Sequence, residues 1–290
     1  MLARIDAALL PSPNALQVLI LELVSNMISH SKVFAWLLLM APAFAFAQSG
    51  VDDRFSISLG VFVTDRSTDT QLDSDVLGKG TVIDFEDDLG LDSTDSVFRI
   101  DGHYRFNQKH RLNFSVFDLS RDSSATILRD IQYGDKIFPI DTVVNTSFDL
   151  NIYKLTYAYS FMQRDSGYLG VTLGIHIGDS KIGLDQQSLG QFELSSITAP
   201  LPVIGLRGEY EFTDRLTLGA SGELFAFEFD DVDGLLVDLY VGIDYQIIDH
   251  IALGLGFNSV HFDVDATKTN FSGSLDWQYT GALLFFKVDF

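Results

Sequence analysis

Cysteine is absent from the 290-residue chain. No disulfide and no thiolate metal site can form, which is compatible with an oxidising compartment. Basic residues are scarce, 19 Lys and Arg against 40 Asp and Glu, for a net charge of −21. A nucleic-acid partner is excluded, because phosphate binding needs a basic surface. There are only 6 prolines. Long apolar runs are almost missing although 47% of residues are apolar. A spanning helix needs about 20 consecutive apolar residues, and no stretch supplies them. The apolar residues, 24 Phe and 10 Tyr among them, are instead spread through many short alternating segments.

One short apolar run stands out, "KVFAWLLLMAPAFAFAQS". Lys32 gives it a positive flank, Val33 to Met40 an apolar core, and Ala45-Phe46-Ala47 a small-x-small cleavage pattern. This is the form of a secretory signal peptide. The expected organisation is an extension of no functional consequence at 1–26, a start at Met27, a signal peptide at 27–47 cleaved after Ala47, and one domain at 48–290.

That domain alternates with period two, the signature of strands with two unlike faces. In "RFSISLGVFV" one face carries Phe55, Ile57, Leu59, Val61 and Val63. In "YLGVTLGIHIG" Leu169, Val171, Leu173, Ile175 and Ile177 oppose Gly170, Thr172, Gly174, His176 and Gly178. Ten such segments are countable. The apolar faces could pack on each other in a soluble sandwich or face lipid from a barrel. Three features favour the barrel. The segments are long enough to cross a bilayer, which takes about 9–11 tilted residues. The second face is rich in glycine, which suits a narrow lumen. Tight connections ("NQKH", "RDSG", "TDR", "DH") alternate with long ones at 66–94, 122–148 and 179–201. The expected fold is all-β: a transmembrane antiparallel up-and-down barrel of about ten strands, within a range of 8–12, with long extracellular loops. Phe106, Phe161, Tyr168, Phe212 and Tyr245 are expected in an aromatic girdle beside the short turns.

The chain ends "GALLFFKVDF", with Leu284, Phe286, Val288 and Phe290 on one face. This ending resembles the C-terminal assembly signal of bacterial outer-membrane proteins. The resemblance implies recognition by the barrel-assembly machinery after passage through the secretion translocon. "GTVIDFEDDLGL", "FRIDGHYRFNQKHRLNFSVFDLSRD" and "APLPVIGLRGEYEF" resemble an uncharacterised family of Gram-negative outer-membrane β-barrel proteins. That resemblance implies the fold and a place in the outer membrane, with outer-membrane lipid as partner. It implies no reaction.

The inward faces bring charge of both signs. Arg99, Asp101, His103, Arg105, Lys154, His176, Arg207, Glu209, Glu223, Asp238 and Asp244 are expected in a lumen network, with Glu211, Asp276, Lys287 and Asp289 as further candidates. Buried charges must be paired or solvated. The network therefore either plugs the lumen or lines a narrow path for small solutes. The stretch 66–96 is acidic, with Asp69, Asp73, Asp75, Asp84, Glu86, Asp87, Asp88, Asp92 and Asp95. Carboxylates suit Ca²⁺ or Mg²⁺, but the EF-hand spacing is absent. A hydrolase would need a nucleophile beside a base. His261 with Ser259 is the least poor pair, and no G-x-S-x-G or H-E-x-x-H motif occurs. The expected role is non-enzymatic, with no cofactor: an envelope or surface protein with a possible narrow passage. The alternatives are an outer-membrane hydrolase acting on lipid or peptide, and a scaffold binding a partner or divalent cations through acidic loops.

Overall fold

The computed structural model describes residues 54–290 apart from 75, 187–190, 230–231 and 269–270. The expected extension and signal peptide lie outside the described residues. Thirteen strands follow in order: β1 (Phe55–Leu72), β2 (Ile83–Asp84), β3 (Thr94–Arg105), β4 (His110–Thr126), β5 (Ile131–Tyr133), β6 (Lys136–Phe138), β7 (Val143–Arg164), β8 (Gly167–Gln186), β9 (Gln191–Thr213), β10 (Leu216–Phe229), β11 (Val232–Ile248), β12 (Ile251–Lys268) and β13 (Phe271–Asp289). Ten of them form a closed antiparallel barrel. Each pairs with its neighbour, and β13 returns to β1 in register from Ser56↔Asp289 to Leu72↔Gly273. Closure leaves the barrel wall without a free edge, which lipid would not tolerate.

The alternation sorts side chains as the pleat requires. On β8, Leu173 faces out at 36% exposure, while its neighbour Thr172 points in at 2%. Leu59, Val61 and Val63 of β1, Leu239 and Val241 of β11, and Leu253, Leu255 and Phe257 of β12 are exposed on the outer surface. They make an apolar belt near the end with short turns. Further along the same strands the outward positions become polar: Asp65 and Ser67 on β1, Asp118, Ser120 and Asp122 on β4, and Ser147 and Asp149 on β7.

The strands therefore outrun the membrane. β7, β8 and β9 have 22, 20 and 23 residues, about twice the 9–11 a bilayer requires. This corrects the expected long loops. Residues 66–72, 122–126, 143–148, 179–186 and 191–201 are strand. On 66–72, 122–126 and 179–186 the outward positions are polar, Ser67 and Asp69, Asp122 and Ser124, Asp179, Lys181 and Asp185, so these stretches lose the apolar alternation that announces a membrane strand. Two real excursions remain, 73–93 and 127–142, which carry β2 and the β5–β6 hairpin.

At the opposite end the turns are tight, at 106–109, 165–166, 214–215 and 249–250. His250 takes a left-handed φ of 67° there. Tyr104 with Phe106, and Tyr210 with Phe212, form edge-to-face pairs, both at 5.0 Å. Phe161, Tyr245 and Phe290 are exposed at the same end. Phe290 is tied to the first strand: its N–H donates to the Phe55 carbonyl at 2.7 Å, and its own carbonyl accepts from Arg54 and Phe55. Two sequence expectations fail here. Tyr168 points inward, because its hydroxyl finds Glu209 at 3.1 Å. Asp276 points outward, since it shares strand parity with Gln278 and Leu284 rather than with buried Trp277 and Tyr279.

Candidate functional site: the barrel interior

The half of the lumen beside the short turns is built from charge. Arg99 grips Asp101 through Nε at 2.9–3.0 Å and donates through Nη1 to Asn258 Oδ1 at 2.8 Å. Asn258 donates to Asp238 at 2.7 Å. Asp238 pairs with Lys154 and lies 3.7 Å from His176 Nδ1. The other ring nitrogen of His176 meets Glu223 at 2.7 Å. One network thus spans β3, β7, β8, β10, β11 and β12. A second group sits nearer the turns. Arg111 donates to Glu209 and to the Tyr168 hydroxyl, both at 2.6 Å, and meets His103 Nδ1 at 2.9 Å. Lys287 bonds both oxygens of Asp244 at 2.9–3.0 Å. Arg105 and Arg207 line the same space and have no ion pair among the described residues. Between these groups lies a polar cavity of about 350 Å³.

The other half of the lumen is built from rings and aliphatic chains. Phe62, Phe117 and Tyr279 meet edge to face at 5.7–5.9 Å, and Trp277 packs on Tyr279 at 5.1 Å. The rings also finish the charge network. The Arg99 guanidinium lies 4.9 Å from the centre of Phe117 and 5.3 Å from that of Phe62, a cation–π geometry. Around and above this layer Leu119, Phe148, Ile152, Leu236 and Val260 join Ile83, Phe85, Leu89 and Leu91 of the first excursion and Ile127, Ile131 and Phe138 of the second. Phe85 meets Phe148 of β7 edge to face at 5.8 Å. Both excursions therefore fold into the barrel mouth and do not project from it.

Arginines reach up to hold them. Arg121 of β4 pairs with Glu86 and donates to Thr68 Oγ1 at 2.8 Å. Arg129 pairs with Asp88. Arg66 lies 3.4 Å from Asp95, its side chain fully buried. Three acids of the stretch, Glu86, Asp88 and Asp95, are thus paired with arginine. Asp84 caps a turn by accepting from the amides of Glu86 and Asp87 at 2.9 and 2.7 Å. Burial raises the Asp73 carboxyl, but hydrogen bonds from Ser272, Gln71 and the Gly80 amide outweigh that and hold it below the usual range. Asp75 lies outside the described residues.

Outside the barrel wall the charges are not compensated in this way. Asp69 stands opposite Asp84 and Asp276 in adjacent strands. Burial, and then the charges of Asp84 and Asp276, push its carboxyl above the ordinary value. His261 lies 3.6 Å from Asp276, and Asp263 completes a compact group with them. Ser259 turns to Thr280 at 3.4 Å, so the structure does not join it to His261 as nucleophile and base. Asn258, Arg121 and the aromatic layer left no direct sign in the sequence, where Glu86 is visible only as one acid of the 66–96 stretch. The signal available was parity: Phe62, Phe117, Trp277 and Tyr279 are large apolar residues on the otherwise polar face.

No family model matches the chain, and no curated protein matches it in sequence. Solved structures do. The outer-membrane protease OmpT from Escherichia coli superposes with a TM-score of 0.52 at 11% identity, over 84% of this chain and 99% of that one. The fold is that of a Gram-negative outer-membrane barrel. Ail, the attachment invasion locus protein of Yersinia pestis, gives 0.36 at 14% identity over 81% of this chain and 99% of its own. The Pseudomonas putida toluene transporter TodX gives 0.33 at 9% over 83% and 91%. Only the first superposition is close enough to bear on architecture, and at such identity it bears on nothing else.

Proposed function

We propose that this outer-membrane barrel is a closed, non-enzymatic envelope protein that presents a tall, acidic, strand-built wall above the membrane. The observation that carries this reading is the filling of the lumen. The ring layer of Phe62, Phe117 and Tyr279, with Phe85, Leu89 and Leu91 packed above it, occupies the space a solute would need. A narrow passage is the weaker reading for that reason. The protease in the structural comparison lends no catalytic residues, because a shared architecture carries no chemistry. The outward acidic row of Asp69, Asp84 and Asp276 supports a role in contact with the surroundings of the cell.

The route to the membrane belongs to the same reading: cleavage after Ala47, export by the secretion translocon, and recognition of Leu284, Phe286, Val288 and Phe290 by the barrel-assembly machinery. Kinship with the uncharacterised family of such barrels rests on the three sequence stretches that resemble it. Planar-bilayer recording tests the closed lumen. The refolded protein should insert without unit conductance steps. Reproducible discrete steps would replace the closed barrel with a channel.

A further inference from the structure

Above the apolar belt, β12 and β13 bring three metal-binding side chains together on the outer wall. Asp263 and Asp276 stand directly opposite each other in the ladder. His261 precedes Asp263 by two residues and so shares its face. Its Nδ1 lies 3.6 Å from an Asp276 oxygen. One donor atom from each of the three lies within 4.8 Å of the other two. Donors about 2.1 Å from one tetrahedral zinc ion lie about 3.4 Å from each other. Small rotations of exposed side chains close that difference. The His261 and Asp276 side chains are 40% and 50% exposed, so an ion reaches them from solvent without any opening of the barrel.

The strand register around this group adds a second observation. Asp276 also opposes Asp69, and Asp69 opposes Asp84. Four aspartates therefore follow one another in register across β12, β13, β1 and β2, although like charges directly opposite destabilise a sheet. No lysine or arginine enters the row. The residues in register with His261 are Val237 on one side and Gln278 on the other, and Leu235 flanks Asp263. The nearby arginines are committed elsewhere, Arg121 to Glu86, Arg129 to Asp88 and the buried Arg66 to Asp95. An imidazolium at His261 would answer one of the four carboxylates and no more. A divalent cation answers two and takes the neutral imidazole as a further ligand. The imidazole also selects the metal. Carboxylates alone suit Ca²⁺ or Mg²⁺, whereas a ring nitrogen beside them suits Zn²⁺.

We propose that His261, Asp263 and Asp276 form a surface site for a divalent cation of the zinc class, with water completing its coordination. Asp69 and Asp84 deepen the local negative potential and draw the cation in without ligating it. The site stands on the outer wall, so it does not depend on whether the lumen is closed.

Isothermal titration of the untagged, detergent-refolded barrel with Zn²⁺ and, separately, with Ca²⁺ tests this. The chain has no cysteine, so no thiolate competes for the metal. One equivalent of Zn²⁺ should bind in the micromolar range, and Ca²⁺ at least tenfold more weakly. His261→Gln and Asp276→Asn alter exposed side chains, so both variants should fold. Heat-modifiable migration on a gel checks that they do. Each should weaken Zn²⁺ binding at least tenfold. Asp265→Asn removes the same charge from the next outward position of β12, which is exposed and lies outside the group. It should change Zn²⁺ affinity less than threefold. No Zn²⁺ binding by the wild-type barrel overturns the proposal and leaves an ion pair of His261 with Asp276. Undiminished binding in the folded His261→Gln variant overturns it equally. So does equal binding of Zn²⁺ and Ca²⁺, because the row would then act only as diffuse negative charge.

Discussion

The two halves of the lumen solve the same problem in opposite ways. Near the short turns, Lys154, Asp238, Asn258, Arg99 and Asp101 fill space with paired charge and leave a cavity beside it. Toward the far mouth, Phe62, Phe117, Tyr279 and the infolded Phe85 fill it with rings. A membrane barrel must put its apolar surface outside, so its interior has no obligation to be apolar. The charged half shows that freedom in use. The ring layer begins inside the belt, where Phe62 stands between the exposed Val61 and Val63, and the infolded segments above it lie where the outer wall has become polar. There the barrel resembles an ordinary water-soluble protein, with a polar exterior and a hydrophobic core.

Different substitutions should therefore break the two halves. The largest effect belongs to the charged half. Lys154→Ala leaves Asp238, only 6% exposed, without its cation, and removing one partner of a buried pair costs about 3–5 kcal/mol. Urea unfolding of the refolded barrel, followed by tryptophan fluorescence, measures it. Replacing both partners, as in K154M/D238L, should recover most of the loss. If the double variant is as unstable as the single one, the pair is not the unit that matters.

In the ringed half no rescue by neutralisation is available. Phe85→Ala should cost about 3 kcal/mol, the lower end for a buried phenylalanine, because the ring packs on Phe148 from a loop that can settle. The outer belt supplies a control that belongs to neither half. Leu173→Arg should cost about 2–4 kcal/mol if it faces lipid near the midplane, measured by the same unfolding in lipid vesicles. A cost that is equal in lipid and in aqueous denaturation intermediates would place it elsewhere.

The smallest effect is a pH dependence outside the wall. The Asp69 carboxyl is raised by burial and by Asp84 and Asp276. A raised carboxylate contributes its stability below the ordinary carboxylate range, and loses it as pH rises through the folded value. Asp69→Asn should therefore give a slight gain near neutral pH that disappears in acid. Melting curves across that window check the sign. A gain that is largest in acid would reverse the assignment.

Strand identity and facing were legible in the sequence wherever the outer face is apolar, as on β8 and β12. Where the strand leaves the membrane, the same period survives only in small and polar residues, and 179–186 reads as loop. Tyr168 shows a second limit. An aromatic beside a short turn suits a girdle, but its even parity with Gly170 and Thr172 and its hydroxyl turn it to Glu209. The partners inside the lumen were legible as a set and not as pairs. Lys154 and Asp238 lie on strands that never touch through the backbone, so their meeting depends on the shear of the closed barrel. The infolding of 73–93 had one visible cue, Ile83, Phe85, Leu89 and Leu91 set among acids, and arginines on other strands complete it.

Thiol accessibility tests the division of the lumen most directly, because the native chain has no cysteine to interfere. Ser58 lines the cavity, and Thr68, 1% exposed, lies above the ring layer on the same face of the same strand. In the folded barrel a water-soluble maleimide should label Ser58→Cys readily and Thr68→Cys only after unfolding. Equal labelling of the two folded variants would mean that water passes the ring layer, and the closed-barrel account would be wrong.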